Sequence, residues 1–482
     1  MSYLIVFIGL FSLWRYLRLV VNLCAVWTYG SIPLPATPSY SNADGTVVIS
    51  TLADSDDFRR CLLTIFACRP AAIIVVTPEK RIKYVRQLCH ELGLHHVQTI
   101  GTQKANKRLQ MIEGLKAVGT AITVFADDDV IWAPTLLTYL LAPFEDDKIG
   151  AAGGLQTLER KLHPNCWDFL GAIYLERRKF ELAATNTIDG GVGCLSGRTF
   201  AVRTGIIQNE PFFNEFREER WLASLPLVAA DDDNFVTRYL VNHGWGIAVQ
   251  LIKEAELTTT LENNPKFLAQ CVRWRRTTWR SNFTSLFVDR LVWSDQSWTT
   301  YAVHLSSFNP PAAILDALLS YTLCRAVRVA EPPPYIPSMP TSLVIFLVWI
   351  IFTKTIKFVG HFGRYPTDLK FLPVLYLFSY LHGFIYLYSL LTLHKTGWGG
   401  GRSHILSLVE KSGNDGCAKS ASDDIESAAG YSGLRRARCS GIEIHLRGEK
   451  LKGMTNLSRA QSPVSDLETG SKHRSEKDAG LV

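Results

Sequence analysis

A chain of 482 residues, 47% hydrophobic and 11% aromatic, is long enough for one large α/β domain with membrane segments besides. Its net charge of +7 is spread thinly, with no basic stripe interleaved with aromatics. That pattern argues against binding nucleic acid and for an anionic membrane face and an anionic substrate. The ten cysteines show no Cys-x-x-Cys pair and no zinc-like spacing, which fits a cytosolic, reduced main domain.

Residues 1–30 read as an N-terminal membrane anchor, apolar from Tyr3 to Trp14 and from Leu19 to Trp27, without a cleavage site of the signal-peptide type. Arg15 and Arg18 near its middle are costly in hydrocarbon, so they are expected at the interface or against a neighbouring helix. Residues 31–45 carry Pro33, Pro35 and Pro38 and form a short stiff linker. From Val47 the pattern alternates: Val47 to Thr51, Ala72 to Val76 and Ala121 to Ala126 are strand-like, and helical stretches fall near Glu79 to Leu92 and Gln103 to Val118. Such alternation predicts an α/β domain over 46–295, its parallel sheet covered on both faces. Residues 296–335 hold an interfacial or transmembrane helix, since Pro310 to Val329 carries Asp316, Arg325 and Arg328. Residues 336–396 are expected to form transmembrane helices: Leu343 to Val359 and Phe371 to Leu393 are each near the roughly 20 residues a spanning helix needs. A Trp-Gly loop occupies 397–410, and the polar 411–482 tail is expected to be disordered.

Three acids, Asp127, Asp128 and Asp129, end the apolar run Ala121 to Ala126 and precede Pro134, which puts carboxylates at the carboxyl edge of a strand, where α/β sheets bind ligands. Asp127 and Asp129, one residue apart, can both grip a hard divalent ion that clamps a diphosphate. A second triplet, Asp231 to Asp233, precedes a helix-like segment. Capping would explain one acid; three adjacent carboxylates repel, which fits one of them poised as a proton acceptor. On a helix, Gln270, Arg273 and Trp274 share a face and suit a sugar chain and a phosphate, although the same segment reads alone as an interfacial Trp/Arg belt. Lys107 and Arg108 begin a helix where a pyrophosphate could be met, and Gly190 to Gly197 form a small-residue loop that lets backbone approach a ligand.

In this order the motifs resemble those of the processive family 2 glycosyltransferases, the hyaluronan, chitin and cellulose synthases. The matching elements are Asp127-x-Asp129, the segment through Asp232 and Asp233, Gln270-x-x-Arg273-Trp274, Lys107-Arg108, Cys194-Leu-Ser196-Gly197 and the Trp398 to Arg402 stretch. The resemblance implies a GT-A (Rossmann-like) glycosyltransferase domain with an N-terminal anchor and C-terminal transmembrane helices. It implies Asp233 as the catalytic base, and Asp127 and Asp129 as ligands of Mn²⁺ or Mg²⁺. Lys107, Arg108, Asp127 and Arg273 would contact the nucleotide. Cys194, Ser196, Gly197, Gln270 and Trp274 would line the acceptor side, and Trp398 and Arg402 would form a gating loop.

The expected partners are a UDP-sugar, a growing polysaccharide or a lipid acceptor, and membrane lipids, with no nucleic acid; homo-oligomerisation is compatible with this reading. The expected activity is inverting extension of a β-linked polysaccharide. A non-processive transfer to a lipid, and a scaffold or pseudoenzyme, are the alternatives. The expected location is the plasma membrane or the Golgi/ER, catalytic domain in the cytosol, with two crossings after Asp295. The basic loop of Lys354, Lys357, Arg364 and Lys370 between those two crossings argues the other way. Three departures from the family stand out. Thr77-Pro-Glu replaces an Asp-Asp-Gly-Ser-type sequence, leaving Asp54, Asp56 or Asp57 to compensate; Arg198 stands where a proline is usual; and fewer spanning helices are visible.

Overall fold

Six consecutive residues of strand β1 (Gly45–Ser50) are buried, as a β-branched run covered on both faces requires. Alternate side chains go to opposite cores. Val47 and Ile49 pack with Phe58 and Leu62 of helix α2 (Asp57–Ala67), whereas Val48 packs with Met111 and Leu115 of α4 (Lys107–Lys116). The computed structural model describes residues 2–53, 57–222, 225–227, 231–329 and 338–396. The chain divides into Met1–Ile405 and Leu406–Val482. The second unit and its expected polar tail, the Trp398 and Arg402 loop, and Asp54 and Asp56 lie outside the described residues.

The other strands of the main sheet are β2 (Ala72–Pro78), β3 (Val97–Thr102), β4 (Ile122–Ala126), β5 (Val130–Trp132), β6 (Ile149–Leu158), β7 (Thr199–Arg203), β8 (Gly246–Gln250) and β9 (Glu256–Thr259). Among the described residues they form one sheet in the order β3-β2-β1-β4-β7-β6-β9-β5, with β8 also paired to β6. The expected parallel sheet is therefore a mixed one. β7 is antiparallel to both β4 and β6, and β5 is antiparallel to β9. Strand β7 enters the sheet from the edge where β4 ends, so the loop before it lies against the acids that follow β4. The Asp127 amide donates to the Arg198 carbonyl at 2.9 Å.

The remaining helices of the α/β part are α3 (Glu79–Glu91), α5 (Leu136–Leu141), α6 (Cys166–Asp189), α7 (Glu210–Glu218), α8 (Asp232–Asn242) and α9 (Lys266–Thr284). Local sequence sets their ends. Asn106 accepts from the Leu109 amide to cap α4; Asn165 and Asp168 form a capping box on α6; and Gly190, at φ 68°, supplies the left-handed residue that stops it.

Three helical stretches, Tyr3–Thr28, Met339–Arg364 and Pro366–Leu391, are long and apolar enough to cross a membrane. They belong to helices α1 (Ser2–Thr28), α11 (Met339–Thr355) and α12 (Leu372–Leu391), with α10 (Ala312–Val329) among them. The two anchor arginines have partners: Arg15 lies 3.5 Å from Asp316 of α10, and Arg18 donates to the Ala302 carbonyl at 2.8 Å. Helix α12 runs along α9. Phe267 meets Phe378, Trp279 meets Tyr386, and Arg280 reaches the Leu393 carbonyl at 3.0 Å. Just before α12, Asp368 is clamped by Arg160 at 2.9 and 3.0 Å. Both ends of α12 thus adjoin the α/β part. The Trp/Arg belt of α9 is in large measure a helix–helix interface, not a face turned to lipid.

Candidate active site

Lysine 107 joins the two acid clusters. Its ammonium sits 2.8 Å from Asp127 Oδ1 and 2.9 Å from Asp232 Oδ2, at the first turn of α4. Burial alone would strip its proton, but the two carboxylates outweigh that and hold it charged. In return Lys107 keeps Asp232 below the usual carboxylate range against the opposing effect of burial. Asp233, the next residue, goes the other way: burial and the Asp232 charge push its carboxyl up. Its Oδ2 accepts from the Gly197 amide at 3.2 Å, and its Oδ1 from the Asn234 amide at 2.8 Å. Asp231 is spent on structure. It takes a left-handed backbone at φ 60° and makes a two-pronged pair with Arg280 at 2.7 and 2.9 Å. The three acids thus have three fates, and neither capping nor repulsion alone describes them.

On the opposite wall, Asp127, Asp128 and Asp129 form the turn between β4 and β5. Asp128 accepts from the Thr51 hydroxyl at the end of β1, and burial carries its carboxyl up to about 6. Asp129 is pushed up to about 7, first by burial and then by Asp127, and its Oδ1 is buried without a partner among the described residues. An orphaned carboxylate oxygen beside a second carboxylate fits a hard divalent cation. Among the described residues no group of three His, Cys, Asp or Glu side chains could hold an ion, so the remaining ligands would come from substrate oxygens and water, as Mg²⁺ prefers.

The loop from Cys194 to Arg198 connects these walls to the acceptor-side residues. Ser196 donates to Gln156 at 3.0 Å, and Arg198 reaches the same Gln156 oxygen at 3.2 Å and the Thr259 hydroxyl at 3.2 Å. The Arg198 guanidinium lies 5.5 Å from the centroid of the Trp274 ring, whose neighbour is Tyr174 at 5.0 Å. Burial pushes the Cys194 thiol well up, so it stays protonated at neutral pH. A continuous line therefore runs from Asp127 through Lys107 to Asp232 and Asp233, and through Gly197 and Arg198 to Trp274.

Other expected contacts are absent or used elsewhere. Arg108 is 1% exposed, held by the Phe216 carbonyl at 2.8 Å and Glu219 at 2.5 Å and packed on the Phe216 and Phe235 rings, so it faces the core of α7 and α8 and not a nucleotide. Helix periodicity explains this, because consecutive residues of α4 point about 100° apart. Gln270 accepts from the Glu262 amide at a long 3.5 Å, and Arg273 makes no hydrogen bond or ion pair with the described residues. Gly190 is a helix stop, and Gly191 and Gly193 leave room for Thr299 and Val303, so the glycine run before Cys194 serves packing. Asp57 pairs with Arg60 at 3.7 Å in the first turn of α2. Sequence reasoning missed Gln156 and undervalued Arg198. The arginine in place of an expected proline was the available signal for Arg198, and nothing marked Gln156.

Gly197 is closely packed against the bridging lysine. A Cβ there would lie 3.2 Å from the Lys107 ammonium and 3.5 Å from Asp232 Oδ2 and from the Asp233 Cβ. Gly197→Ala is expected to displace Lys107 from its bridging position, lowering kcat/KM by about tenfold with little change in unfolding midpoint, because only the far end of a flexible side chain must move. Steady-state rates alongside a thermal melt test this. A large loss of stability would mean that the backbone yields instead.

A mixed sheet with paired carboxylates after its fourth strand, a second acid cluster opening a facing helix and a lysine between them is the arrangement of a GT-A-type glycosyltransferase. Residues 43–277 match the family described as "Glycosyltransferase like family 2". Over 390 residues the chain is 43% identical to a "Type 2 glycosyltransferase" of Pyricularia oryzae, covering 80% of each chain. It is 43% identical over 402 residues to one of Gibberella zeae, covering 82% of this chain and 75% of that one. The chain belongs to the family 2 glycosyltransferases. Among solved structures, a mannosyltransferase from Pyrobaculum calidifontis in complex with GDP-Man and Mn²⁺ aligns at 12% identity and a TM-score of 0.43, covering 77% of this chain and 97% of that one.

Proposed function

We propose that the protein is a membrane-bound inverting glycosyltransferase that uses a UDP-sugar to extend a β-linked polysaccharide. The observation that carries this reading is the Lys107 bridge, 2.8 Å from one acid cluster and 2.9 Å from the other, which makes the leaving-group side and the base side one site. Asp127 and Asp129 would hold Mn²⁺ or Mg²⁺, which when bound would offset the charge of a departing diphosphate. Lys107 adds a fixed positive charge at the same place. Asp233 accepts the proton of an acceptor hydroxyl as that oxygen bonds to the anomeric carbon; the bond to the diphosphate breaks on the opposite face, so configuration inverts. Trp274, with Arg198 against it, offers a flat face for the acceptor sugar. Gln270 and Arg273 lie on the same helix, and Arg273, without a hydrogen bond or ion pair among the described residues, is the group assigned to the diphosphate.

In this reading the α/β domain faces the cytosol. The contacts at both ends of α12 support the basic 354–370 loop lying on that side too, as its charge favours, with α12 along the bilayer surface. A lipid acceptor is the second reading, favoured by a chamber of about 430 Å³ beside α6, α9 and α12 whose lining holds seven basic side chains against two acidic ones. The test is turnover by the purified full-length chain with a panel of labelled UDP- and GDP-sugars, with Mn²⁺, with Mg²⁺, and after chelation. Turnover of a UDP-sugar that chelation reduces to background is expected. Absence of turnover with every donor would sink the enzyme reading, and selective use of a GDP-sugar would reassign the donor.

A further inference from the structure

One carboxylate outside both acid clusters fastens the helix that carries Lys107 to the helix that carries Asp232 and Asp233. Glu219, the residue after α7, divides its two oxygens between two guanidinium groups: Oε2 lies 2.5 Å from Arg108 Nη2, and Oε1 accepts from Arg238 Nη2. Arg108 follows Lys107 in the first turn of α4, and Arg238 stands on α8 beyond the two acids. The carboxylate therefore spans α4 and α8. Its side chain is 12% exposed, against 1% for Arg108 and 10% for Arg238, so water can do little to replace either contact.

Neither arginine is free to follow a shift of the other helix. Arg108 also donates to the Phe216 carbonyl at 2.8 Å, with its guanidinium 4.8 Å from the Phe216 ring centroid and 5.5 Å from that of Phe235. Arg238 donates to the Ser281 hydroxyl of α9 at 3.0 Å and lies 3.5 Å from Asp289. Glu219 is itself tied down, because its carbonyl accepts from the Leu227 amide at 2.9 Å. The same two helices meet again at the 2.9 Å contact of Lys107 with Asp232. If α4 slid along α8, that contact would open, and the paired bonds at Glu219 resist the slide because their partners sit on different helices. We propose that Glu219 is a positioning residue for the transfer: without touching substrate, it sets the spacing of α4 and α8 and so keeps the Lys107 ammonium between Asp127 and Asp232. This rests on the transferase reading above and adds to it a residue that the acid clusters do not include. A Glu219 that merely balanced charge would matter for stability alone.

The experiment is a double-mutant cycle on the full-length protein in detergent, with the labelled sugar nucleotide that the donor panel selects. Glu219→Gln keeps the shape and removes the charge; it is expected to lower kcat/KM by about 10²-fold, the cost of a misplacement of about 1 Å. In a Lys107→Met background no ammonium remains to be placed, and there the same change is expected to lower kcat/KM by less than about threefold. Equal factors in the two backgrounds would overturn the proposal, as would a Glu219→Gln variant that works at the wild-type rate. Glu219→Asp keeps the charge but is too short to reach both guanidinium groups, so its rate is expected to fall with that of the Gln variant while its unfolding midpoint stays nearer the wild type. It takes the place of Glu219→Gln in the cycle if that variant does not fold. Wild-type turnover is the control: its absence indicts the transferase reading, and its presence with equal losses in both backgrounds indicts the role of Glu219 alone.

Discussion

Asp233→Asn is expected to lower the rate of transfer by about 10²–10⁴-fold while leaving nucleotide binding unchanged. Asparagine keeps the shape and can still accept the Gly197 amide bond, now 3.2 Å long, but it cannot take a proton. The donor side is untouched, since Lys107 bridges Asp127 and Asp232, not Asp233. Calorimetric titration with UDP beside rate measurements separates the two effects; loss of UDP binding together with activity would move Asp233 to the donor site. The pH profile supplies a second check. A base must be ionised to act, and burial beside Asp232 raises the Asp233 carboxyl, so the acid limb of the wild-type profile should fall away above the ordinary carboxylate value of about 4. A limb at or below that value would point to a different, better solvated base.

The largest stability effect is expected at Asp231 and Arg280. Both side chains are 2% exposed, and the pair joins α8 to α9 while Arg280 also holds the Leu393 carbonyl at the end of α12. Removing one partner leaves the other charge buried, so Arg280→Leu should destabilise the fold by about 3–5 kcal/mol. The Asp231→Ala/Arg280→Leu double variant should lose clearly less than the two single losses added, because no charge is stranded. Denaturant unfolding in detergent measures all three variants. Strict additivity would show that the pair contributes nothing as a pair.

How much of this was readable beforehand depends on the range of the physics. The α/β alternation, the acids at the end of β4 and the helix after Asp231 follow from local patterns of burial and capping, and they stand where the periodicity put them. The resemblance of the ordered motifs led to family 2 of the glycosyltransferases, the level at which the relatives agree. The parallel sheet did not hold, because strand direction is decided by which edge the chain re-enters, and the short Thr199–Arg203 run carries no sign of its direction. Arg108 shows the same limit at the scale of one residue: adjacent to Lys107 in sequence, it points into a different core. The Gly190 to Gly193 run read as a ligand loop, yet its space is filled by Thr299 and Val303, more than a hundred residues away.

The sequence by itself determined the class of chemistry, since hydrophobic periodicity and the placement of acids, bases and indoles act over a few residues and survive without the fold. Only the tertiary structure decided which carboxylate does what. Asp231, Asp232 and Asp233 are chemically identical and contiguous, and their different partners, Arg280, Lys107 and Gly197, are brought in from distant parts of the chain. Electrostatic energies in a buried site depend on a few ångströms of separation and on access to water. Neither is written in the order of the residues.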